Sequence, residues 1–160
     1  KGIAMITIIM GSSSDKGIAQ KVVEQLKEFG LPYKVLVISA HRALDLLLEE
    51  VERDEADVYI AMAGKAAHLA GVLAGATIKP VIGIPVKSST LDGLDALLST
   101  VQMPSGVPVA TVAIDGGANA AILAAQILAV HDKDIAAKLL AYKQQMKQNV
   151  IKMADDITDL

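Results

Sequence analysis

Three short segments carry the residues best suited to chemistry: Gly11-Ser12-Ser13-Ser14-Asp15, Ser39-Ala40-His41-Arg42 and Ala63-Gly64-Lys65-Ala66-Ala67-His68. The first offers backbone N–H groups and serine hydroxyls ahead of a predicted helix, an arrangement that suits an anion, with Asp15 available to ribose hydroxyls. Its plainer reading is that Ser14 or Asp15 caps that helix. The second sets an imidazole that titrates near neutrality beside a guanidinium fork able to grip phosphate, so His41 is a candidate acid/base and Arg42 a candidate phosphate ligand. Ser39 belongs to the same loop. In the third, Gly64 and its small neighbours allow close approach of backbone to a ligand. Lys65 is either a contact or a solvated loop lysine, and His68 either a contact or a support for its helix. The loop-lining segments Lys87–Gly93 and Gln102–Pro108 fit a pocket wall and a subunit contact equally well.

The elements around these segments follow a repeated pattern. Apolar, β-branched runs at 4–10, 33–38, 58–62, 81–84 and 109–114 read as buried strands. Helical spacing follows each of them, at 16–29, 43–53, 66–75, 91–101 and 117–130. Five strands alternating with helices predict an α/β fold, a three-layer doubly wound parallel sheet of the flavodoxin-like or Rossmann-like kind. Ligands of such sheets sit beyond the carboxyl ends of the strands, which is where all three polar segments fall. After Val130 an apolar stripe of Ile135, Leu139, Tyr142, Met146, Val150, Met153 and Ile157 predicts one long helix over 132–160. It would extend about 35 Å or more, beyond what one domain of this size covers, so 130–160 is expected to serve as an oligomerisation arm.

With 160 residues, 52% of them hydrophobic, the chain fits one domain over 1–160. Aromatic residues at 2% and a net charge of −3 argue against a nucleic-acid partner and leave phosphate to local donors. No cysteine is present, and three histidines on separate segments carry no metal-site spacing, so no metal is expected. No leader pattern or membrane-length run is read, which leads to the expectation of a cytoplasmic protein without membrane contact. The serine loop matches neither a Walker A loop nor a dinucleotide fingerprint, so neither ATP nor a dinucleotide is indicated.

Together the stretches IIMGSSSD (Ile8–Asp15), SAHR (Ser39–Arg42), AAHL (Ala66–Leu69), PVIGIPVKSSTLDGLDALLSTVQMPSGVPVATVAI (Pro80–Ile114) and NAAILAAQIL (Asn119–Leu128) resemble the phosphoribosylaminoimidazole carboxylase catalytic subunit and N5-carboxyaminoimidazole ribonucleotide mutase family. The resemblance covers nearly the whole chain. It implies de novo purine biosynthesis, with the carboxylate of N5-carboxyaminoimidazole ribonucleotide transferred to ring carbon C4 through CO2, using no cofactor. By resemblance His41 is the general acid/base, and Ser12, Asp15 and Arg42 bind substrate. Ser14, Ser39, Gly64, Lys65 and His68 are further candidates, and the segment 63–68 is the loop that closes over the ring. A homo-octamer is implied as well.

The chain departs from the family pattern near the chemistry. Ala43-Leu44 replaces the usual Thr-Pro, Lys65 replaces a glycine, and Ala70 replaces a proline. A related class that carboxylates plain aminoimidazole ribonucleotide with CO2 carries a basic residue after the same Ala-Gly. That class has Lys after the histidine, where Arg42 stands here, and lacks the 86–104 pattern, so the mutase is the expected activity and direct carboxylase the alternative. A non-catalytic nucleotide-binding or signalling module is the competing class. A receiver would need an acceptor Asp at a strand end, and a flavin module would need aromatic stacking partners.

Overall fold

The computed structural model describes residue 2 and residues 4–157. Lys1, Ile3 and the end of the predicted last helix, 158–160, lie outside the described residues. Five strands form one sheet: β1 (Ile6–Met10), β2 (Tyr33–Val37), β3 (Val58–Gly64), β4 (Val81–Val86) and β5 (Ala110–Thr111). They pair parallel throughout, in the order β2-β1-β3-β4-β5. The helices are α1 (Lys16–Glu28), α2 (Leu44–Glu52), α3 (Leu69–Ala76), α4 (Leu94–Val101), α5 (Gly117–Ala129) and α6 (Lys133–Asp155).

Alternation along the strands builds two cores. Ile6, Ile8 and Met10 of β1, with Ile60, Ile82 and Ile84, face α1, α5 and α6. Ile9, Tyr59 and Ala61 face the other way, against Leu47 of α2 and Leu73 of α3. Each such apolar side chain taken out of water contributes roughly 1.5–3 kcal/mol before entropy is counted. Ala120, Ala121, Ala124 and Ala125 are fully buried on α5, and their small size lets that helix lie close to its neighbours. At Gly117 the approach is closest, since a Cβ there would stand 2.8 Å from the Ile18 carbonyl oxygen of α1.

At the amino ends of the strands, the Lys34 ammonium donates to both oxygens of the buried Glu50 carboxylate and to Glu55, each at 3.0 Å, tying β2 to α2. At the carboxyl ends the register aligns Met10 with both Val37 and Met62, and Gly64 with Val86. The loops after β1, β2, β3 and β4 therefore leave from one edge.

Apart from shifts of one or two residues at element ends, three boundaries differ from the sequence expectation. β5 holds only two residues where six were expected. Residues 91–93 leave the helical pattern because Leu91, Asp92 and Gly93 all take positive φ, at 55°, 52° and 91°, so α4 starts at Leu94. α3 starts at Leu69 rather than Ala66, since 65–68 remains a tight turn in which Ala67 N–H donates to Lys65 C=O at 2.9 Å. The long C-terminal helix is present, with Asp132 capping it by accepting from Asp134 N–H at 2.9 Å and Ile135 N–H at 3.1 Å. Its first half docks through Ile135, Leu139 and Tyr142, the last set edge-on to Phe29 with centroids 5.4 Å apart. Its second half leaves Met146, Val150 and Met153 exposed. No helix among the described residues is long and apolar enough to cross a membrane.

Gly117→Ala is expected to destabilise the fold by about 1–3 kcal/mol, because the backbone oxygen of Ile18 cannot yield as a side chain could. Urea unfolding would register this as a lower midpoint at unchanged slope, and a midpoint equal to wild type would disprove the close-approach argument.

Candidate active site

The serine turn, the His41 loop, the 63–68 turn and the end of β4 enclose a cleft of about 660 Å³ beside the point where the strand order reverses around β1. That volume suits a small ligand such as a mononucleotide. All of Ser12, Ser14, Asp15, Ser39, His41, Arg42, Gly64, Lys65 and His68 line it, so the candidate residues from three separate segments converge.

The serine turn is held from within. Ser12 Oγ accepts from Ser14 N–H at 3.3 Å and from Ser14 Oγ at 3.1 Å, and so caps the single 3-10 turn Ser13–Asp15 that leads into α1. The capping expected of Ser14 or Asp15 thus falls to Ser12, and Asp15 makes no side-chain cap bond. Asp15 is buried instead, and burial pushes its carboxyl above 3.8; hydrogen bonding from Ser12 and Ser14 opposes the rise and the Asp115 carboxylate adds to it.

Ser39 serves Arg42: its Oγ accepts from Arg42 Nε at 3.2 Å and from Arg42 N–H at 3.3 Å. The guanidinium is thereby anchored at one nitrogen in the cleft wall, and among the described residues its outer fork has no partner, as a bidentate oxyanion contact needs.

His41 Nε2 lies 2.8 Å from His68 Nδ1, with the rings edge-on at 88°. One hydrogen must occupy that contact, supplied by either ring. The pair can take up one further proton on an outer nitrogen and keep the contact, whereas a second would leave two donors facing each other. The sequence leaves His68 as either a ligand contact or a support for its helix and does not pair it with His41. The signal available was topological: β2 and β3 flank β1, so the loops that follow them reach over the same strand end.

Val86 at the end of the fourth strand and Lys87 and Ser88 after it also line the cleft, as the pocket-wall reading of the start of the 87–93 segment expects. Lys87 N–H donates to the Asp115 carboxylate at 2.9 Å, so Asp115 holds this wall from the fifth strand's end. The segment 102–108 does not reach the cleft. Among the described residues no three His, Asp or Glu side chains gather in a way that could hold a metal.

Fold and site define a doubly wound α/β protein whose cleft at the switch point has the size and the donors to suit a small anionic ligand, with an imidazole pair at hand. Residues 5–149 match the family described as AIR carboxylase, and the chain belongs to that family. It is 56% identical to the N5-carboxyaminoimidazole ribonucleotide mutase of Methanocaldococcus jannaschii over 156 residues, 98% of this chain and 99% of that protein. It is 49% identical to the enzyme of the same name from Thermotoga maritima, over 97% of this chain and 92% of that protein. The crystal structure of Treponema denticola PurE matches with a TM-score of 0.90 at 33% identity, over 97% of this chain and 99% of that one.

A carboxyl raised on folding holds its proton more firmly in the folded than in the unfolded chain. Stability is therefore lost as pH rises from about 3.8 through the folded value, and the loss persists at neutrality. Asp15→Asn should remove that loss: at about pH 7 the variant melts at or above wild type, and near pH 4 the gain shrinks. Ribonucleotide affinity should meanwhile fall about tenfold if the carboxylate accepts ligand hydroxyls. A lower melting temperature with unchanged affinity would make Asp15 a purely structural residue.

Proposed function

We propose that this chain acts in purine biosynthesis as an isomerase that converts N5-carboxyaminoimidazole ribonucleotide to the C4-carboxylated nucleotide. One observation carries the reading: the His41 imidazole, in contact with His68, shares a nucleotide-sized cleft with an anion-suited serine turn and the anchored Arg42 fork. Kinship to proteins named as mutases along their whole length supports it.

In the proposed mechanism Ser12, the serine-turn N–H groups and Arg42 hold the phosphate, and Asp15 accepts from the ribose. The carbamate N–C bond breaks, its electron pair stays on nitrogen, and that nitrogen takes the His41 proton. CO2 remains in the cleft. Ring carbon C4 attacks it, forming the new C–C bond, and the C4 proton returns to His41. Protons and electrons balance, so the imidazole ends as it began. His68 holds the ring of His41 and gives the pair a second outer nitrogen for the proton. The segment 63–68 closes over the ring to keep water from the CO2. No cofactor takes part.

A homo-octamer working in the cytoplasm completes the proposal. The second half of α6 supports assembly, since its stripe of Met146, Val150 and Met153 stays largely exposed, uncovered by the described residues of its own subunit.

The test is a paired ultraviolet assay without ATP or metal, on the carbamate nucleotide and on plain aminoimidazole ribonucleotide with bicarbonate. Product from the carbamate faster than its spontaneous decay is expected, with His41→Asn slower by at least ~100-fold at retained nucleotide binding. Preference for the plain nucleotide would make the chain a direct carboxylase. No product from either would leave a binding module, and near-normal turnover by His41→Asn would remove that residue from the mechanism. Assembly is checked separately: Met146→Glu combined with Val150→Glu should lower the sedimenting mass while helical circular dichroism is kept, and an unchanged mass would release α6 from that role.

A further inference from the structure

Lys65 stands in the left-handed region, with φ of 54°. A residue bearing a Cβ is strained there, and glycine would not be. Its side chain lines the cleft on the turn that carries His68, and among the described residues it makes no hydrogen bond or ion pair. The other Arg and Lys of the cleft each have a side-chain partner within the chain. Arg42 Nε donates to Ser39 Oγ at 3.2 Å, and the Lys87 ammonium sits 3.3 Å from the Asp92 carboxylate. Among the described residues Lys65 is therefore the one Lys or Arg of the cleft whose side chain has no partner, and it is held on a strained backbone.

The nucleotides of the proposed reaction carry two anionic groups, a phosphate and a carboxylate. The serine turn and Arg42 suit the phosphate, which leaves the carboxylate without a partner at the other wall. We propose that Lys65 is the residue that reads the carboxylate, pairing with it in both the N-carboxylated substrate and the C4-carboxylated product, and so separates carboxylated from plain nucleotide. This rests on the reading above. CO2 is neutral, so an ammonium stabilises the two carboxylates and does little for the intermediate between them. Lys65 thus serves binding and specificity without lowering the barrier, which is the work of the histidine pair.

The experiment is calorimetric titration of wild type, Lys65→Met and Lys65→Gly with the C4-carboxylated nucleotide and with plain aminoimidazole ribonucleotide. Lys65→Met keeps side-chain length without charge, and Lys65→Gly also relieves the backbone, so it tests the charge even if the first variant folds poorly. Both variants are expected to bind the carboxylated nucleotide about tenfold more weakly, the scale of one charge-assisted contact in a partly open cleft, and the plain nucleotide within about twofold. In turnover KM should rise while kcat does not fall. Equal weakening for both nucleotides would assign Lys65 to the phosphate, and no weakening for either would make it a solvated loop lysine; each overturns the proposal. Failure of wild type to turn over the carbamate would sink the mutase reading alone, because the difference in binding between the two nucleotides is measured without catalysis.

Discussion

Everything at the cleft depends on β1 pairing in parallel with both β2 and β3, with Met10 level with Val37 on one side and Met62 on the other. Parallel ladders make successive strands point the same way, so the loops that follow three of them meet above the end of one. The register is enforced from below by burial. A slip of one residue would carry Ile9 into the face of Ile8 and Met10, and invert every contact between sheet and helix. The 2.8 Å contact between His41 and His68 is therefore a product of core packing, although neither ring is itself in the core.

Against that rigid frame the cleft concentrates features that cost stability. Asp15 is a buried carboxyl, Lys65 holds a left-handed backbone, and Leu91 and Asp92 do the same in the wall that begins at Lys87. None is required by the sheet. Their persistence in one region is what a site looks like when position is worth more than local comfort.

The sheet and its helices were legible because period-2 and period-3.6 patterns separate cleanly in a chain whose core is aliphatic. So was the gathering of Ser12, His41, Arg42 and Lys65 at one edge, since strand ends are where doubly wound sheets place ligands. What was not legible shares one cause: it depends on backbone dihedrals or on distance across the fold. The left-handed run at 91–93 has a helical composition. The short β5 reads as a longer apolar run, and its loss of pairing after Thr111 leaves no trace in residue type. The pairing of His41 with His68 needed strand order, and the diversion of Ser39 to Arg42 needed coordinates.

The Lys34, Glu50 and Glu55 cluster lies at the edge of the sheet opposite the cleft. Anchoring charges and reactive groups thus occupy separate ends of the same strands, and changes at ends that share no partners add nearly independently. A lineage could exchange residues such as Ala43, Leu44 or Lys65 while the other end stays untouched. The division makes the fold a stable chassis on which the reacting end is free to drift.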